Sequence, residues 1–203
     1  MDTQEASRTL EVIRTLMERT TQYQFLTARA GLAAGVLACI GSVLFMFLDM
    51  ADPWAFAAVW ALVFVGSLLL TCVCTVMRVR ERGEQVWSRQ AQAVVMALTP
   101  AIFAALVLSV FFFVQGWHLW LPGVWMLCYG QGALATSVYA PSIIRKMGLV
   151  VLAMSVVTLA LGPAWSVLMM ALVFGVGHIW LGLTLLAAER RAQRSLRVFR
   201  TVA

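Results

Sequence analysis

The chain has 203 residues, of which 62% are hydrophobic and only 12% charged, with a mean hydropathy of +0.89. An ordinary soluble domain is roughly 45–50% apolar and about 25% charged. The departure excludes a soluble globular domain, a collagen, a disordered chain and a disulfide-rich secreted module, and leaves an integral membrane protein.

Residues 3–26 contain neither Pro nor Gly. Asp2 followed by Glu5 has capping-box spacing. Leu10, Ile13 and Met17 recur at helical intervals, widened by Val12 and Leu16, with Arg8, Glu11, Arg14, Glu18 and Arg19 on the other side. Segment 1–28 is therefore expected to be a cytoplasmic amphipathic helix. Its near balance of acidic and basic side chains suits docking onto a partner helix or onto the protein's own inner loops; lying flat on the bilayer is the alternative. The first apolar run begins near Ala30 and reads as a span rather than a cleaved leader.

Residues 29–188 read as a transmembrane domain. A crossing needs about 20 apolar residues. Spans are predicted near 30–48, 54–77, 92–114, 119–141, 143–161 and 164–187. The fifth is the shortest, since only Met147 to Leu161 is free of charge there. It spans if Arg145 and Lys146 snorkel, and is otherwise re-entrant.

All 15 basic residues fall in the two termini and the connections near 78–91 and 142–147. The remaining loops carry only Asp49 and Asp52. Positive-inside counting places both termini in the cytoplasm. The expected fold is all-α: a polytopic membrane bundle of six helices in three tight hairpins, preceded by the amphipathic N-terminal helix. Each outer turn pairs a proline with a nearby tryptophan: Pro53 and Trp54, Pro122 and Trp125, Pro163 and Trp165. Proline suits a first helical turn, and tryptophan suits the headgroup layer.

The tail, 189–203, places Arg190, Arg191, Arg194, Arg197 and Arg200 among Leu196, Val198, Phe199 and Val202. It is expected to prolong the sixth span as a basic helix holding anionic lipid headgroups. Lipid explains this charge more economically than nucleic acid, which is not expected as a partner.

The spans hold no Asp, Glu, Lys or Arg away from their ends. That removes a carboxylate proton relay, an Arg-rich voltage sensor and a two-carboxylate hydrolase. No catalytic or metal-binding residue is expected. His178, after Gly175 and Gly177, lies near the middle of the sixth span. Gln131, between Gly130 and Gly132, is at a similar depth in the fourth. Both need partners inside a bilayer. They are expected to meet, with Tyr129 or Thr136 nearby, either as an interhelical hydrogen bond or as a polar spot orienting a ligand. His118 reads as a member of an outer aromatic belt. No cofactor is predicted; a haem or pigment on His178 stays open, although His118 is at the wrong depth for a bis-histidine site. Cys39, Cys72, Cys74 and Cys128 lie within spans and read as packing residues. Gly31 and Gly35 form a GxxxG pattern expected to pack inside the bundle rather than at a dimer face. Gly130, Gly132, Gly175 and Gly177 are likewise expected at close helix contacts.

The stretch Met17-Glu18-Arg19-Thr20-Thr21-Gln22-Tyr23-Gln24-Phe25-Leu26, with Gly31 and Ala34-Gly35, resembles the opening of a group of small bacterial six-span membrane proteins. Trp125-Met126-Leu127-Cys128-Tyr129-Gly130 and Gly177-His178-Ile179-Trp180-Leu181-Gly182 are similar to that group's fourth and sixth spans. The resemblance implies a bacterial inner-membrane location and brings no functional residues with it. The expected role is a non-enzymatic membrane subunit, an accessory, assembly or sensory component that docks a protein partner through the bundle and the N-terminal helix. The alternatives are a small transporter or capture subunit for an apolar or neutral solute, and a redox subunit using His178.

Overall fold

The computed structural model describes residues 27–48, 52–83 and 85–202, with side chains through Arg191. The expected helix over 1–28 lies outside these residues except for Thr27 and Ala28. Among the described residues every regular element is helical.

Helix α1 (Ala28–Met46) starts at Thr27, whose Oγ1 accepts from the Ala30 amide at 3.2 Å. Helix α2 (Pro53–Glu81) is capped by Asp52, which accepts from the Trp54 amide at 2.9 Å, with Pro53 in the first turn. Helix α3 (Arg89–Val114) is capped by Ser88, which accepts from the Ala91 amide. These caps satisfy donors that a helix start leaves unpaired. Helix α3 closes in a Schellman motif. The Trp117 amide bonds the Phe112 carbonyl and the Gly116 amide bonds that of Phe113, with Gly116 at φ 73°.

Among the described residues, five helical runs are long and apolar enough to cross a membrane: α1, α2, α3, α5 (Ser142–Leu161) and the run Pro163–Arg191. The expected weak crossing at 143–161 is thus a full 20-residue helix. The short element is instead the fourth. A single turn over His118–Trp120 leads into α4 (Leu121–Thr136), only 16 residues long, or about 24 Å. It ends before the expected 141, and two hydroxyls bond carbonyls of its last turn. Thr136 Oγ1 donates to the Gly132 and Ala133 carbonyls, and Ser137 Oγ donates to that of Leu134. Pro141 then keeps Ala140 out of the helical region.

The last run is also segmented. A turn at Pro163–Trp165 precedes α6 (Ser166–Met170), a π-helical turn over Ala171–Val176, and α7 (Gly177–Val202). The backbone of the basic tail continues α7, as expected; the side chains of Arg194, Arg197 and Arg200 lie outside the described set.

Helices α1 and α2 pack as a hairpin, and so do α3 and α4. The expected third hairpin does not close on itself. Helix α5 packs chiefly on α4, while the π turn and α7 pack on α1. The reason lies in the small residues. Gly130 faces Leu152 and the Gly148 carbonyl on α5. Gly31 and Gly35 face Gly182, Gly175 and Ile179. Close backbone approach is what holds helices together where lipid removes the hydrophobic drive. The core runs through Phe45, Phe56, Trp60, Met126, Val151 and Met170. Helix α3 stays outside it, with Ala91 its one buried residue.

Candidate functional site

The polar centre of the bundle forms where the last helical run loosens. The Gly177 amide bonds the Leu172 carbonyl five residues back, as in a π turn. Such a turn widens the helix and is frequent at functional sites. On the α1 side, Gly175 leaves room for Cys39, whose Sγ would stand 2.5 Å from any Cβ there. One turn on, His178 reaches α4. Its Nε2 lies 2.8 Å from the Tyr129 hydroxyl. Phe174 stacks on the His178 ring at 5.9 Å and meets Tyr129 edge-on at 5.4 Å.

His178 is buried at 9% exposure, whereas Tyr129 keeps 36% of its surface open at the side of the bundle. Whichever ring nitrogen carries the proton, Nδ1 of His178 has no hydrogen-bond partner. The pair is walled by aromatic rings, and Nδ1 is shielded from the surface.

Gln131 does not meet His178. It is exposed, and the helix dictates this: residues two apart project about 200° from each other. With Tyr129 turned to the last helix, Gln131 must turn away. Gly130 faces α5, while Gly132 faces Leu98 and Ala101 on α3. Gln131 therefore occupies the strip of α4 between those two neighbours. Thr136 is buried but spends its hydroxyl on its own helix.

The glycines divide in the same manner. A Cβ on Gly31, Gly35, Gly130, Gly132, Gly175 or Gly182 would press on a neighbouring helix. One on Gly177 would meet only the Leu172 carbonyl of its own helix, at 3.6 Å. Gly177 is not a packing glycine; it sits on the far side of the turn from α1.

His118 departs from the expected surface belt. It is 6% exposed and packs edge-on against Phe56 at 5.5 Å. Phe56 also stacks on Trp125 and meets Phe45. Trp125 Nε1 donates to Ser109 Oγ at 2.7 Å. The spacing of Phe56 and Trp60, four residues apart, was the available signal for this cluster. His118 precedes the start of α4, eleven residues or about 16 Å of helical rise from Tyr129, so the two histidines do not share a site. Among the described residues no three His, Cys, Asp or Glu side chains are grouped as metal ligands would be.

At the basic end, Arg78 Nη1 and Glu189 Oε1 pair at 2.5 Å, tying α2 to α7. Each ends its apolar stretch, which is the sequence signal for the contact. Arg190 and Arg191 are exposed. With Leu183, Leu186 and Ala187 they line a concavity of about 290 Å³.

No protein-family model, no curated protein and no solved structure matches this chain.

Proposed function

We propose that the chain is a non-catalytic integral subunit of a bacterial inner membrane, with both termini in the cytoplasm, that docks a partner helix within the bilayer. The receiving surface is the strip of α4 around Gln131, between α3 and α5. The observation that carries this reading is the exposure of Gln131. It lies about 7 Å inside the end of a short helix. Acyl chains offer its amide no partner, whereas a neighbouring helix does. The apolar exposure of α3 beside it gives a partner helix a second wall.

The test is a photoreactive residue at position 135, exposed one turn from Gln131, in native membranes, compared with one at Val110 on the exposed side of α3. A discrete protein adduct from position 135, its loss when Gln131→Leu is added, and lipid adducts from position 110 are expected. Lipid adducts alone from both positions would defeat the proposal.

A second reading rests on the Tyr129–His178 pair: a capture or redox subunit binding a neutral, membrane-soluble compound at the open edge of Tyr129. The unmade bond at Nδ1 favours it. Organic extraction and an absorbance spectrum of mildly solubilised protein decide it. A compound or pigment retained by the native chain and lost from Tyr129→Phe supports this reading, and clean extracts from both remove it.

A further inference from the structure

Independently of the proposed lateral docking, the bundle differs in apolar height from one side to the other. The charge-free stretches of α2 (53–77) and α3 (90–114) are each about 37 Å long. On the opposite side, α4 is about 24 Å long and the charge-free stretch of α5 (147–161) about 22 Å. The hydrocarbon layer is about 30 Å thick, so one side exceeds it and the other falls short. Contacts between helices show where the shortfall lies. Gly148 of α5 meets Ala133 of α4, and Tyr129 of α4 meets His178 of α7. Counted along these helices, Arg145 is level with about residue 183 of α7. It therefore stands roughly 9 Å nearer the bilayer centre than Glu189 and its partner Arg78.

We infer that the α5 side thins the leaflet at the basic end of the bundle, and that Arg145 and Lys146 seat the phosphate of a phospholipid there. Helix α5 turns Ile144, Met147, Gly148 and Val151 into the bundle. Its outward face is left to Arg145 and Lys146, both exposed, and one turn on to Leu149 and Val150, 53% and 62% exposed. Neither cation makes an ion pair among the described residues. A pair of cations followed directly by an apolar strip matches a phospholipid, phosphate first and acyl chain after. In a flat bilayer with phosphates at the level of Arg78, both cations would stand among acyl chains, which is costly. A short span is relieved by local thinning together with snorkelling of its flanking residues. Gln131 remains about 7 Å to the acyl side of the end of α4, so the docking reading does not depend on this one.

The experiment uses the full chain with Cys39, Cys72, Cys74 and Cys128 replaced by Ser, in vesicles of dioleoyl phosphatidylcholine. A nitroxide is attached at Leu149→Cys or at Leu69→Cys, the latter 60% exposed on α2. The contacts above, continued through Gly182 with Ala28 and Leu37 with Gly66, set the two positions at one height in the bundle. Collision with oxygen against a water-soluble nickel chelate measures how far each lies below the phosphates. The label at 149 is expected about 7 Å shallower than the label at 69, from their distances to Arg145 and Arg78. Equal depths overturn the thinning. Arg145→Gln with Lys146→Gln is expected to sink the label at 149 by about 5 Å, one helical turn, and to leave the label at 69 in place. A label at 149 that does not move overturns the phosphate seat. Should the double variant lose its native tryptophan emission, Lys146→Gln alone decides, by the same two outcomes.

Discussion

The hydroxyl of Tyr129 on α4 meets Nε2 of His178 on α7 at 2.8 Å, the contact that joins the α4 side of the bundle to the α1 side at its polar centre. An interhelical bond of this type contributes roughly 0.6–2 kcal/mol in a membrane protein. Its loss also strands a buried nitrogen, and Nδ1 is stranded already. Tyr129→Phe is thus expected to destabilise by about 1 kcal/mol. Removing both polar groups leaves nothing unpaired, so Tyr129→Phe with His178→Leu should return to within about 1 kcal/mol of the native chain. Unfolding in mixed SDS micelles measures the cycle. Additive losses would mean that the two side chains do not support each other.

Glycine positions separate packing from mere presence in a motif. A Cβ at Gly35 would fall 2.7 Å from the Gly175 carbonyl oxygen and the Ile179 amide, both backbone atoms that cannot swing aside. Gly35→Ala should force α1 off the last helix and cost about 1–3 kcal/mol, the usual range for overpacking. Gly177→Ala meets no neighbouring helix, and alanine is the better helix former by about 1 kcal/mol. It should leave stability unchanged or raise it. The same SDS unfolding assay ranks the two, and equal losses would contradict the assigned contacts.

The membrane-bundle class was legible because it depends on averages: hydropathy and the wide gaps between charges. Glycine spacing in α1 was legible because GxxxG reports directly on backbone approach. The pairing of Gln131 with His178 was read from depth alone, and depth fixes height but not azimuth. A two-residue shift to Tyr129 turns the helix by about 200°. The end of α4 was overrun because hydropathy stays high through Val138 and Ala140, whereas Pro141 disfavours the helical region just before it. The opened third hairpin depends on which helix offers the closer backbone, and this requires both faces at once. The π turn has no composition signal at all.

The Arg78–Glu189 pair is partly exposed, at 21% and 32% for the two side chains. Such pairs contribute about 1 kcal/mol at most, and salt screens them. Arg78→Glu should lower stability modestly by setting like charges together, and adding Glu189→Arg should recover most of that loss. The recovery should shrink as ionic strength rises. Thermal unfolding in a non-ionic detergent at low and high salt measures it. A swap no better than the single change would show that the contact lacks an electrostatic part.

Three glycines adopt positive φ: Gly83 at 67°, Gly116 at 73° and Gly162 at 81°. They differ in what the backbone requires next. Gly116 is the left-handed closing residue of α3, a conformation that asparagine also visits. Nothing lies within 4 Å of its absent side chain. Gly116→Asn should therefore cost about 1 kcal/mol or less. Gly162, between α5 and the turn at Pro163, has ψ −176°, a region that is essentially glycine-only. Its nearest neighbour is the Trp120 ring at 4.0 Å, so steric room is not the obstacle. Any side chain there must strain the backbone by about 1–3 kcal/mol, or swing the last helix to relieve it. Gly162→Asn should accordingly destabilise more than Gly116→Asn despite equal space, and Gly162→Ala should match Gly162→Asn because the cost resides in φ and ψ. SDS unfolding of the three variants gives the comparison. Parity between positions 116 and 162 would show that the α5 connection can relax without strain.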